Sequence, residues 1–281
     1  MTTETEQVRL RKQSTIEPLQ KELAARAARL SVIDLSSIVP LFVKYNGVLE
    51  QDRTGILFAV GNRHFIVTAA HEVNRYAKHL CYLYVCGALP GSTVINLVGD
   101  VHSNEEHDVS VISLTSEVAN ELVKGHRFLR TTDVDASSNE RPESYVIMGY
   151  PLAKPFHQKR PHEKRISSIP FTFFTALNSD EVESELGYDP SVHLLFKNVG
   201  TSYAMDGSVI STPRFQGMSG GADFRYPSGS QSADSVERRL VGVQISAKAG
   251  GFVKATRIWY ALRLIADHYP DCANAIEIGL E

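Results

Sequence analysis

From about residue 38 onward the chain is written in short runs of Val, Ile, Phe and Tyr, broken every few residues by Gly, Asn, Asp or Pro. That texture belongs to an all-β barrel or sandwich rather than to helices stacked on a parallel sheet. Strands are expected over Val39 to Tyr45, Gly55 to Val60, His64 to Thr68, Leu80 to Val85, Val94 to Val98 and Val109 to Leu114. A short helix, Ser116 to Lys124, then stops at Gly125, a glycine cap. After the polar stretch Thr131 to Glu143, strands resume at Tyr145 to Gly149, Phe171 to Thr175, Leu194 to Lys197, Ala222 to Arg225, Leu240 to Ile245 and Phe252 to Ala255. Helices frame this β region. Ser14 and Glu17 have capping-box spacing ahead of a stripe at Ile16, Leu19, Leu23, Ala27 and Leu30, and Ile258, Leu262, Ile265 and Tyr269 share one helical face near the end. The expected organisation is a tail and helix over 1–37, a first β block over 38–130, and a second over 131–281 that includes the C-terminal helix.

Composition narrows the partners. With 43% hydrophobic and 22% charged residues the chain is ordinary globular material, and a net charge of -3 gives no global pull toward nucleic acid or an anionic membrane. The basic run Lys154 to Arg165 and the acidic run Asp180 to Asp189 read as solvated faces. A nucleic-acid contact through Lys159, Arg160, Lys164 and Arg165 is the weaker reading, because Phe156 is the run's one residue of the Phe, Tyr and Trp set. The polar start Met-Thr-Thr-Glu-Thr-Glu lacks the apolar core of a signal peptide, and no stretch approaches a membrane span, so a cytoplasmic location without membrane contact is expected. Three cysteines, Cys81, Cys86 and Cys272, are too few and too odd for a disulfide framework and are read as reduced. No metal site or organic cofactor is expected.

Three segments carry chemistry. Cleaving an amide by nucleophilic catalysis requires a hydroxyl, a base, a carboxylate that fixes the base's tautomer, and donors for the developing oxyanion. Phe65-Ile66-Val67-Thr68-Ala69-Ala70-His71 is a β-branched strand running through two small residues into a histidine. His107-Asp108-Val109-Ser110-Val111-Ile112 sets a carboxylate at the mouth of an alternating strand. In Gln216-Gly217-Met218-Ser219-Gly220-Gly221 the glycines permit the close backbone approach that would aim the amides of Gly217 and Ser219 at one point.

Each signal is modest alone, since such a histidine, aspartate or glycine pair is often structural; their joint order and strand context carry the weight. Gly217-Met218-Ser219-Gly220-Gly221 also satisfies the Gly-x-Ser-x-Gly elbow, but an elbow needs a helix directly after the serine, and Tyr226, Pro227 and Gly229 break that segment. His71-Glu72 is not a zinc pair, because position 75 is Arg.

Thr-Ala-Ala-His, then Asp before an aliphatic strand, then Gly-x-Ser-Gly-Gly, in that order, resembles the trypsin or chymotrypsin-like serine peptidase superfamily over residues 38 to 268. The missing disulfides and Gly149-Tyr150-Pro151 are closer to its bacterial glutamyl-endopeptidase and HtrA-like branches. The resemblance implies two six-stranded antiparallel β-barrels with the site in the cleft between them, and the strand count above fits. It makes Ser219 the nucleophile, His71 the general base and acid, Asp108 its orienting partner, and the Gly217 and Ser219 amides the oxyanion hole of an endopeptidase acting on protein or peptide substrates.

The same resemblance brings Pro213 and Arg214 toward the base of the side-chain pocket and lines the substrate channel with Gly242 to Ala247, including Ile245 and Ser246. Neither Pro213 nor Arg214 supplies a carboxylate, so an apolar or small residue before the cleaved bond is expected. Two positions depart from the pattern: Met218 stands where many members carry Asp, and Ala222 where Pro is usual. Methionine cannot form the ion pair that locks the oxyanion hole in trypsin-like zymogens, so the chain is expected to work without proteolytic activation, or to be ordered by an activating partner or ligand. The rival reading is a catalytically inactive module used for peptide recognition or assembly.

Overall fold

The computed structural model describes residues 35–45, 48–71, 73, 83–86, 94–97, 99–135, 144–152, 170–178, 188–198, 201–203, 209–211, 214–226, 238–248 and 251–280. The expected N-terminal helix, the basic run 154–165, residues 180–187 of the acidic run 180–189, Cys81 and Pro213 lie outside these residues. Two antiparallel sheets form the body. The first holds β1 (Ile38–Tyr45), β2 (Val48–Val60), β3 (Arg63–Thr68), β4 (Leu83–Cys86), β5 (Val94–Asn96), β6 (Val101–Asn104) and β7 (Val109–Ser113), in the order β5-β4-β1-β2-β3-β7-β6.

The second holds β8 (Ser144–Gly149), β9 (Phe171–Thr175), β10 (His193–Lys197), β13 (Ala222–Tyr226), β14 (Arg239–Ala247) and β15 (Phe252–Arg257), in the order β10-β15-β14-β13-β8-β9. A separate pair, β11 (Thr201–Tyr203) and β12 (Val209–Ser211), stands apart. The expected six strands are met in the second sheet and exceeded by one in the first. In the second sheet an isolated bridge, Leu177 to Phe196, ties the residues just after β9 to β10, at the opposite end of the order.

Strand periodicity sorts the apolar side chains into layers. On β2, Ile56, Phe58 and Val60 face the space between the sheets, while Leu57 and Ala59 face the far side of the first sheet. On β8, Val146 and Met148 face that same shared layer, and Tyr145 and Ile147 turn into the interior of the second sheet. The outer face of the first sheet is covered by α1 (Ser116–Leu122) through Val118, Ala119 and Leu122. Thr115 caps this helix, its hydroxyl accepting from the Val118 amide.

Two helices follow β15: α2 (Trp259–His268) and α3 (Pro270–Leu280), divided at Tyr269-Pro270. Proline is tolerated in a helix's first turn and not in its interior, which explains two helices where one apolar face was read. Ile258, Leu262, Ile265 and Tyr269 are all buried as expected. Although they follow the second sheet in the chain, these helices return to the first: Ile265, Tyr269, Cys272 and Ile276 share a core with Phe58, Val60 and Phe65, and Arg63 pairs with Asp271. Cys272 is a buried free thiol. No helix among the described residues is long and apolar enough to cross a membrane.

Candidate active site

Pairing of β3 with β7 sets Thr68 beside Ser110, so the residues just past the end of β3 meet those just before the start of β7. His71 and Asp108 are those residues. Ala69 and Ala70, both buried, carry the chain around the end of the strand without bulk, and the Ala70 amide donates to the Asp108 carbonyl. Asp108 has φ of 54°, the one positive φ outside glycine among the described residues. Aspartate tolerates that left-handed conformation better than most residues. Its carboxylate is thereby turned back onto His71: Oδ1 accepts from the His71 amide at 2.7 Å, and the ring Nδ1 lies 2.8 Å from Oδ2 and 3.0 Å from Oδ1. A carboxylate only accepts, so Nδ1 is the donor, which in the neutral imidazole makes Nε2 the acceptor.

Ser219 sits in a turn between Phe215 and Gly221. Gly217 and Gly220 have φ of 88° and 86°, which side chains rarely adopt, so the glycines are required by conformation. Space demands them too: a Cβ on Gly220 would lie 2.1 Å from the Thr54 carbonyl oxygen and 2.2 Å from Thr68 Oγ1. The serine turn is therefore pressed against the end of β3, three residues upstream of His71. The Ser219 hydroxyl is half-buried and donates to the Ile245 carbonyl at 3.4 Å.

Every carbonyl from Gln216 to Ser219 is held. The Leu152 amide donates to Gln216 O at 2.7 Å, Thr54 Oγ1 to Gly217 O at 3.0 Å, the Gly221 amide to Met218 O at 2.8 Å, and the Thr54 amide to Ser219 O at 3.0 Å. The amides of Met218 and Gly220 donate to Phe215 O and Gln244 O. Those of Gly217 and Ser219 donate to no backbone carbonyl among the described residues. In a planar trans peptide the N–H points opposite its C=O. Fixing Gln216 O and Met218 O therefore fixes the directions of the two uncommitted amides.

The substrate-channel residues separate. Ile245 is buried and occupies a register shift in β14, while Ser246 and Ala247 are exposed. Pairing of β13 with β14 stops at Ala222 and Val243, so the edge of residues 245–247 on that side has no strand partner among the described residues. Such an edge beside the Ser219 hydroxyl suits an added peptide strand. Arg214 is exposed, and its side chain does not enter the second sheet's interior.

Two polar side chains do enter it, one of them, Gln244, within the segment expected to line the substrate channel. Asp223 and Gln244 are buried at 0% and 1% exposure, and Asp223 Oδ1 and Oδ2 and Gln244 Oε1 meet no hydrogen-bond partner among the described residues. Asp223 lies between Ala222 and Phe224, which face the layer between the sheets, so alternation turns it inward. Burial raises its pKa well above the ordinary carboxyl value. Thr54, unforeseen, contributes its amide and hydroxyl to the turn. The available signal was a threonine directly before Gly55, too common a pair to mark a site.

Around Asp108 the second sheet supplies Thr256, whose hydroxyl donates to the His107 carbonyl, and Lys254, whose ammonium lies 4.4 Å from the centre of the Tyr188 ring. Burial lowers the Lys254 pKa, and the charge of Asp108 opposes that shift. Burial, joined by the charges of Lys254 and His107, depresses His193 to about 4. No three His, Cys, Asp or Glu side chains gather as a metal-binding group among the described residues.

No family model and no curated protein matches the chain. Among solved structures it is similar to the scabies mite inactivated protease paralogue S-I1, with a TM-score of 0.54 and 12% identity over 85% of this chain and 96% of that one. At that identity the likeness is one of fold. Two antiparallel sheets in this order, with terminal helices folded back on the first, are consistent with the chymotrypsin-like architecture of the trypsin-like proteases.

Proposed function

We propose that the chain is a serine endopeptidase in which Ser219 is the nucleophile, His71 the general base and acid, and Asp108 the group that orients His71. The observation that carries the reading is the pairing of two arrangements: a histidine locked by an aspartate with Nε2 left as acceptor, and a serine turn whose carbonyls are all engaged while two amides remain. In the reaction, His71 Nε2 takes the Ser219 hydroxyl proton as Oγ bonds to the scissile carbonyl carbon. The electron pair moves to the carbonyl oxygen, which the Gly217 and Ser219 amides receive. Collapse of that intermediate breaks the C–N bond, and the proton passes from His71 to the departing amine. Water, deprotonated by His71, then releases the acyl group and restores Ser219. The edge of residues 245–247, without a strand partner on that side among the described residues, favours an extended peptide as substrate.

Met218 is fully buried in the second sheet's interior, and in this reading the bonds to Thr54, Leu152 and Gly221 do the work that an ion pair does in zymogen-derived enzymes. The rival, a peptide-recognising module without turnover, draws its support from the inactivated neighbour. One experiment separates them. Wild-type protein is expected to label with a fluorophosphonate at Ser219 and to cleave an unbiased peptide library, and Ser219→Ala to do neither. Labelling that persists in the variant, or maps elsewhere, overturns the assignment; binding without labelling or cleavage favours the module.

A further inference from the structure

We infer that Thr54 is a positioning residue that joins the strand bearing the base to the turn bearing the nucleophile, a statement that deepens the peptidase reading and rests on it for its catalytic consequence. The β2–β3 ladder ends at Ile56 and Val67, so the main chain of Thr54 lies just past the last pair. Its amide donates to Ser219 O at 3.0 Å, and its carbonyl accepts from Thr68 Oγ1 at 2.8 Å. One residue thus touches both partners, since Thr68 ends the strand that leads to His71.

The side chain adds two more bonds. Thr54 Oγ1 accepts from the Tyr150 amide at 2.8 Å and donates to Gly217 O at 3.0 Å. A hydroxyl has a single proton, and an amide nitrogen cannot accept, so the direction of both bonds is forced. Thr54 is fully buried, so bulk solvent does not reach these groups.

The consequence follows from peptide geometry. Holding Gly217 O fixes the plane joining Gly217 to Met218, and holding Ser219 O fixes the next plane but one. The two remaining planes are fixed by Leu152 and Gly221, and Leu152 follows by two residues the Tyr150 amide that the same hydroxyl anchors. Removing the hydroxyl therefore frees one carbonyl directly and loosens the support of a second. Both border the amides that would receive the oxyanion.

The test compares Thr54→Val, which keeps shape and β-branching, with Thr54→Ser, which keeps the hydroxyl, in the full chain. Deuterium exchange over residues 215–221 is expected to quicken about 10-fold or more in the valine variant and to stay near wild type in the serine variant. Peptide turnover is expected to fall about 100-fold in kcat with KM within about threefold for valine, and to be restored within about threefold by serine. Unchanged exchange in Thr54→Val, equal damage in Thr54→Ser, or a loss confined to KM overturns the inference. If wild-type protein neither turns over nor labels, the peptidase reading fails while the exchange comparison still decides the clamp. Should the valine variant not fold, wild-type amide exchange decides: Thr54 and Tyr150 are expected among the slow amides, and exchange at exposed-loop rates overturns the proposal.

Discussion

The two halves of the candidate site are built in different ways. His71 and Asp108 come from adjacent strands of one sheet, 37 residues apart, and meet as soon as β3 pairs with β7. The Ser219 turn is shaped from a distance: Thr54, 163 residues before Gly217, belongs to the other sheet, and Leu152 and Gln244 come from two further segments. The His71–Asp108 contact is made within one sheet, with Thr256 and Lys254 of the second only flanking it, whereas the Ser219 turn requires both sheets to be docked. Damage to the first half should change chemistry and leave the fold, and damage to the second should cost fold and chemistry together.

The largest effect is expected in the base half. Asp108→Asn replaces an acceptor-only group by an amide that can donate, which favours the wrong imidazole tautomer, and kcat near neutral pH should fall by about 10⁴-fold with thermal stability little changed. A loss of only a few-fold would mean that another group orients His71 and that this half is less self-contained than the contrast requires.

In the nucleophile half, Gly220→Ala forces a left-handed backbone onto alanine and drives a Cβ into the Thr54 carbonyl and Thr68 hydroxyl. Strain and overpacking together are expected to lower stability by about 3 kcal/mol, read as a shift of the urea midpoint. Stability within about 1 kcal/mol of wild type would show that the turn is not wedged between the sheets.

The last effect is graded with pH, nil at the acid end, and concerns the second sheet's interior. Asp223 keeps its proton in the folded state to a higher pH than in the unfolded state. The native state therefore binds more protons above the unfolded pKa, and stability falls as pH rises from there, at about 1.4 kcal/mol per pH unit, until the folded group ionises. Asp223→Asn is neutral throughout, so its stability relative to wild type should climb between pH 4 and pH 8. A pH-independent difference in melting temperature would show that Asp223 is paired.

Legibility in the sequence follows the same divide. Strands with β-branched alternation, such as Phe65-Ile66-Val67 and Val109-Ser110-Val111, were readable because both faces of the first sheet are buried and the pattern is dense. β6 was missed: Val-His-Ser-Asn has one apolar residue, and that valine is 45% exposed. β11 and β12 pair only with each other and carry too few residues for a period to show. His71, Asp108 and Ser219 stood out because each has a local signature, namely small residues before the histidine, a strand after the aspartate and glycines around the serine. Arg214 was placed by counting back from Ser219, and it is exposed in the structure. Asp223 and Gln244 have no local mark. Their burial comes from strand alternation within a packed sheet, and nothing adjacent in the chain announces it.

The return of α2 and α3 to the first sheet also orders events during synthesis. Phe58, Val60 and Phe65 are made early, yet the surface that covers them, Ile265, Tyr269, Cys272 and Ile276, emerges from the ribosome after both sheets have been translated. Until then the layer between the sheets has an open flank. A nascent chain halted before residue 259 would thus present an incomplete core for chaperone capture.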